Sequence, residues 1–276
     1  MGSRKTLLAV GSSRTQLCLD AERLSVDHTS VFNFGCAGCG PVANALYLRR
    51  LFDDGVSVDA ALIELHPAML ADMNPPFESR WLHDYRLRRH EVDTLRGFGW
   101  PIDMPPQFRP AGPLQTAYTF RYAALNAAAP SLLPCPFGLG LLDRTDSRGH
   151  VPGIEITPEK RAEYLAQAYA EYFTAFADYR PGGPAVPAVR DMLTQLKARG
   201  VRTSLVLSPE SSEFHSWYGL GKQEVIAAFA AELAREFDVP LIDAREWLPD
   251  AEFADGHHAT PAGARTFTDR LRGALK

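Results

Sequence analysis

Short apolar runs separated by helical patterns leave this chain few ways to fold. Thr6 to Val10, Val31 to Phe34, Ala60 to Leu65, Thr203 to Leu207 and Pro240 to Asp243 each read as a short strand. Between them fall helical patterns over 15–25, 41–53, 186–198 and 222–236, and a last helix runs from Pro261 to about Leu271. Strands that are apolar along their whole length need cover on both faces. Strands alternating with helices supply that cover when the strands pair in parallel. The expectation is an α/β fold: a flavodoxin-like three-layer α/β/α sandwich around a central five-stranded parallel sheet.

Capping chemistry sharpens several boundaries. Pro41 takes the favoured first-turn position of its helix. Thr157 caps, and Pro158 opens, a long helix reaching about Tyr179. Thr260 and Pro261 repeat that pair at the closing helix. Val225, Phe229, Leu233 and Phe237 recur every four residues, the apolar stripe of an amphipathic helix.

Between 68 and 185 the short period is lost. Proline recurs at 75, 76, 101, 105, 106, 110 and 113, with aromatics Trp81, Trp100, Tyr118 and Phe120. This stretch reads as a mostly helical insertion within one 1–276 domain, placed as a substrate cap over the sheet.

The chain has 276 residues, a net charge of -4 and 46% hydrophobic residues, enough for one large core. Acids and bases are mixed, and the cluster from Arg86 to Arg89 is too short for a nucleic-acid surface. No run approaches the roughly 18 to 20 apolar residues of a membrane span. Thr6 to Val10 is too short for a signal-peptide core, so a cytoplasmic location is expected. No feature assigns an oligomeric state. The 4 cysteines, at 18, 36, 39 and 135, are too few for a disulfide framework. Cys36-Ala37-Gly38-Cys39 lacks the second pair that structural zinc requires. It reads as small residues in a glycine-rich turn, with a dithiol redox role as the alternative.

Parallel sheets gather chemistry at the C-terminal ends of their strands. The first strand ends in Gly11-Ser12-Ser13-Arg14. A turn there would lift the Ser13 hydroxyl into a cleft and aim a helix N-terminus at it. Ser13 is therefore the candidate nucleophile, and it needs a neighbouring base. Asp255-Gly256-His257-His258 supplies one just before the last helix. Three residues apart in a tight turn, Asp255 can hold one ring nitrogen of His258 and leave the other for the serine proton. His257 competes for that role. Side chains of neighbouring residues diverge in an extended turn, so a metal site built from Asp255 and both histidines is disfavoured. The backbone N–H groups of Ser13 and Gly38 are candidate oxyanion donors, with a third from the third strand; His66 is the candidate there, a helix-opening or core role being the alternative for it. Arg14 would bind an acidic substrate group or pair with a nearby acid. Gly11 stands alone with no Gly-Lys-Ser/Thr after it, so no phosphate loop is present, and no cofactor is implied.

These blocks resemble the SGNH hydrolases, also called GDSL-type esterases. The family's first block is commonly Gly-Asp-Ser, and Gly11-Ser12-Ser13 is a variant of it. Asn33-Phe34-Gly35-Cys36-Ala37-Gly38 matches the second block, with Gly38 at the oxyanion position. Asp255 and His258 match the Asp-x-x-His of the fifth. The third block departs: Gly-x-Asn is replaced by Glu64-Leu65-His66, so His66 stands where the family's asparagine donates. The resemblance implies a serine-dependent ester or thioester hydrolase acting on a small-molecule or glycan acyl ester. An acyltransferase with the same acyl-enzyme chemistry is the alternative, as is a non-catalytic binding protein on this fold.

Overall fold

The computed structural model of the chain describes residues 5–26, 28–73, 77–82, 87–88, 90–102, 144–153 and 155–275. The prolines at 75, 76, 105, 106, 110 and 113, Tyr118, Phe120, Cys135, Arg86 and Arg89 lie outside the described residues.

The five strands are β1 (Lys5–Gly11), β2 (Thr29–Gly35), β3 (Ala60–Glu64), β4 (Arg202–Leu207) and β5 (Leu241–Asp243). They form one sheet in the order β2-β1-β3-β4-β5, and every pair is parallel. This is the flavodoxin-like order, which reverses direction between β1 and β3. Strand alternation divides the core. Leu8, Val10 and Ile63 face one side, beneath helices α3 (Pro41–Asp53), α7 (Ala185–Ala198) and α9 (Lys222–Phe237). Leu7, Ala9 and Leu62 face the other, against α1 (Ser13–Cys18), α2 (Ala21–Leu24) and α10 (Pro261–Ala274). The expected three-layer sandwich is the observed fold.

Between β3 and β4 the described elements are helical: α4 (Pro67–Leu70), a 3-10 turn (Phe77–Trp81), α5 (Glu91–Gly97), α6 (Pro158–Ala177) and then α7. A further short helix, α8 (Ser212–Ser216), follows β4. Thr157 caps α6 by accepting from the Lys160 N–H, and Thr260 caps α10 by accepting from that of Gly263. Among the described residues no helix is long and apolar enough to cross a membrane.

One expectation fails locally. The helix expected over 15–25 is two short helices. Asp20 accepts from the Arg23 N–H and starts a new helix, while the Asn33 amide takes the carbonyls that would have continued the old one. Asn33 Nδ2 lies 2.9 Å from Thr15 O and 2.7 Å from Leu19 O, and its Oδ1 accepts from the Gly35 N–H at 2.9 Å. A side chain that satisfies α1 carbonyls removes the incentive to extend the helix. Asn33 thus sets where α1 stops and so where its first residue sits. On the open edge of β2, the Asn33 N–H donates to Arg148 O at 2.7 Å, so residues 146–150 shield the strand.

Asn33→Ala removes the donor to the Leu19 carbonyl and the acceptor of the Gly35 N–H, and is expected to cost about 2 to 4 kcal/mol. Urea denaturation should show a lower midpoint at unchanged slope. Asn33→Asp should not restore it, because a carboxylate cannot donate.

Candidate active site

Helix α1 begins one residue after β1 ends. Ser12 is its N-cap, accepting from the Arg14 N–H at 3.2 Å, and Ser13 is its first residue. The first N–H groups of a helix have no intrahelical acceptor, so that of Ser13 is available to a ligand. Gly11 must be glycine here, because a Cβ would collide with Thr15 Oγ1 and Glu64 Oε2.

The opposite wall is the loop between Phe253 and Ala259, pinched shut by an antiparallel bridge between those two residues. The Ala254 N–H donates to His258 O at 2.9 Å. Gly256 turns the loop at φ 90, a conformation that favours glycine. Asp255 organises it: Oδ1 accepts from the His258 N–H at 2.8 Å and the His257 N–H at 3.2 Å.

These two walls meet. His258 Nδ1 lies 2.6 Å from Asp255 Oδ2, and His258 Nε2 lies 2.7 Å from Ser13 Oγ. A carboxylate only accepts, so Nδ1 carries the proton and Nε2 accepts from the Ser13 hydroxyl. Residues 245 positions apart in the chain thus form one hydrogen-bonded line. The nearby imidazolium-capable rings and the N–H donors hold the Asp255 carboxyl far below its usual range despite its burial.

His257 does not reach Ser13 in the described contacts. It is buried, its ring 3.9 Å from that of His258 and edge-on to Tyr172 at 5.0 Å. Burial pushes its pKa down to about 3, against the pull of Asp255. The expected divergence of neighbouring side chains is not what the fold does: ligand atoms of Asp255, His257 and His258 lie within 4.8 Å of one another. Two of those groups are already engaged, Asp255 with His258 and His258 with Ser13.

His66 stands at the end of β3, 3% exposed, with both ring nitrogens buried and unpartnered. Its ring packs 5.7 Å from Tyr172 and 6.5 Å from His257. Burial first, then Arg14 and the two histidines, holds its pKa well below the ordinary range, so the ring is neutral and keeps one N–H. Gly38 sits at φ 73 in a turn closed by the Cys39 N–H donating to Cys36 O at 3.0 Å. That turn is braced from the 3-10 turn Phe77–Trp81. Trp81 Nε1 donates to Ala37 O at 3.0 Å, and the buried Glu78 carboxylate accepts from the Gly40, Val42 and Ala43 N–H groups. Burial pushes the Glu78 carboxyl up to about 7, against those three donors. Cys36 and Cys39 stand at the two ends of this turn, joined by that backbone hydrogen bond.

Arg14 is fully buried and faces protein rather than solvent. It donates to Glu210 Oε1 at 3.0 Å and to the carbonyls of Ser208 and Pro209 at 2.8 Å, with Glu64 Oε1 at 3.8 Å from its Nε. Of the two expectations, the pairing with nearby acids holds. Tyr218 also donates to Glu210, at 2.9 Å. In the sequence Glu64 is marked only by the third block, and no motif reaches Glu210. The signal was present: a charged residue closing an apolar strand needs a buried partner.

No family model matches this chain, and no curated protein matches it. Solved structures do. A provisionally assigned acylhydrolase from Bacteroides fragilis NCTC 9343 matches at 11% identity over 98% of this chain and 86% of that one, with a TM-score of 0.45. A provisionally assigned arylesterase from Agrobacterium tumefaciens str. C58 matches at 12% identity over 99% of this chain and 98% of that one, TM-score 0.41. An α/β hydrolase enzyme from the metagenome of Lake Arreo, Spain, matches at 11% identity over 100% of this chain and 98% of that one, TM-score 0.37. With all three TM-scores below 0.5, these likenesses decide nothing about the chemistry.

Stability should depend on pH through the depressed histidines. A His kept neutral in the fold binds its proton only after unfolding, so the fold loses stability as pH falls below the ordinary 6.5 and keeps losing it until the folded value is reached. His257 alone contributes a loss of about 2 kcal/mol at pH 5. Urea midpoints should drop between pH 7 and pH 5, and His257→Asn should flatten that slope.

Proposed function

We propose that this chain is a serine-dependent acyl hydrolase of SGNH type, acting on an ester or thioester of a small molecule or glycan. The observation that carries the reading is the unbroken line from Asp255 through His258 to Ser13, at 2.6 and 2.7 Å. Geometry of this kind is what turns a weakly nucleophilic hydroxyl into a reactive one.

In the proposed reaction the Ser13 oxygen attacks the acyl carbonyl carbon as His258 Nε2 takes the hydroxyl proton. Asp255 stabilises the resulting imidazolium. The negative charge moves to the carbonyl oxygen, where the N–H groups of Ser13 and Gly38 would receive it. His258 then gives its proton to the leaving oxygen or sulfur as that bond breaks. Water, deprotonated by the same imidazole, attacks the Ser13 ester and releases the acid.

His66 is the proposed third oxyanion donor. A buried imidazole with neither nitrogen partnered is costly unless a ligand completes it. A neutral ring suits the role, since it donates without adding a charge that would disfavour protonation of His258. The helical elements between β3 and β4 are proposed as a cap: α6 brings Tyr172 against His257 and Leu165 against Gly256, one layer from the serine.

Two measurements test the reading. The wild type should be labelled by a fluorophosphonate and should hydrolyse short acyl esters, and Ser13→Ala should do neither. Labelling that persists in Ser13→Ala would refute the assignment of the nucleophile. His66→Ala should lower kcat about 10²- to 10³-fold with a smaller change in KM, the loss expected for one oxyanion donor. An unchanged kcat would remove His66 from the site.

A further inference from the structure

The strongest unexplained feature lies directly beneath Ser13. Glu64, the last residue of β3, points its carboxylate into the turn that carries the serine. Its Oε2 accepts from the Ser12 N–H at 2.6 Å, the Ser12 hydroxyl at 3.0 Å and the Thr15 hydroxyl at 2.8 Å. Its Oε1 accepts from the Ser208 hydroxyl at 3.3 Å and lies 3.8 Å from Arg14 Nε. The residue is 8% exposed, so these contacts are made in a dry setting where each is strong and none is replaced by water.

We propose that Glu64 is the positioning residue of the nucleophile: one buried carboxylate clamps the residues on either side of Ser13 and thereby sets its hydroxyl against His258. The inference rests on the acyl-transfer reading. Three donors from Ser12 and Thr15 converge on a single oxygen, and Ser13 is between them, so its Cα has no independent freedom. Gly11 is what lets the carboxylate come so close. Arg14 holds the clamp from the other side. Its guanidinium bridges Glu64 to Glu210 and to the carbonyls after β4, which ties the ends of β1, β3 and β4 into one rigid block.

The arrangement also accounts for the two departures from the resembling family's motifs. Where that family commonly has an acid in the first block and a glycine in the third, this chain has Ser12 and Glu64. The acid and the small residue have exchanged strands, and in this chain the Ser12 hydroxyl donates to Glu64 at 3.0 Å.

The test is Glu64→Gln, which keeps the shape but turns an N–H pair toward either the Ser12 donors or Arg14. Folded protein is quantified by fluorophosphonate titration, so that kcat is expressed per labelled site. A displacement of the nucleophile by a fraction of an ångström should lower kcat per site, and the labelling rate, about 10²-fold while KM stays within about twofold. A residue serving stability alone would lower the thermal midpoint and the labelled fraction and leave kcat per site unchanged, and that result would overturn the proposal. If Glu64→Gln does not fold, Thr15→Val removes one donor from the same oxygen and should slow labelling about fivefold. Wild-type labelling rates in it would equally overturn the proposal. A wild type that is not labelled at all would refute the acyl-transfer reading, and this inference with it.

Discussion

Helix α10 packs beside α1, and the rest of the site depends on that contact. Phe267 and Leu271 enter the core shared with Leu7, Ala9 and Leu62, and Thr268 accepts from the Asp20 N–H at 3.1 Å. Each large apolar side chain buried there contributes about 1.5 to 3 kcal/mol. The loop carrying Asp255 and His258 is the lead-in to α10, so docking that helix delivers the imidazole to the serine. The reversal of the sheet between β1 and β3 does the rest. It sets their C-terminal ends side by side, with Ser13 just past one strand and His66 just past the other.

The surroundings of Ser13 combine buried charge with neutral imidazoles. Arg14 pairs with both Glu64 and Glu210 below the turn, and His215 Nε2 lies 3.0 Å from the second oxygen of Glu210. Burying such ions is expensive unless they are paired this closely. Above them, His257 and His66 are held neutral by the same burial. The site therefore has fixed dipoles and few mobile charges, a setting in which donors aimed at a developing oxyanion act strongly. His258 differs from its neighbour by partial exposure, with a side chain 22% accessible against 3% for His257.

Much of this was legible in the chain. Every expected strand is present within a few residues of its expected ends, because wholly apolar short runs have no other stable place than a covered parallel sheet. Pro41, Thr157 with Pro158, and Thr260 with Pro261 mark helix starts through chemistry that acts within one turn. The geometry of Asp255 with His258 is also local, set by residues three apart in one tight loop. The single helix expected over 15–25 was not found, because the amide that ends it comes from β2, 14 to 18 positions away. That Arg14 would pair with an acid was open to reading, but which acids it meets, and which donors converge on Glu64, was not, since those partners stand 49 to 196 residues away in the chain.

The sequence by itself determined the strand pattern, the helix caps and the pairing of one carboxylate with one imidazole, all of which arise from neighbours in the chain. Which histidine faces the serine, which stays neutral in the core, and what holds the serine's turn in place were decided only by tertiary structure. Those outcomes depend on burial and on partners brought together from distant strands, and neither quantity is a property of any short segment.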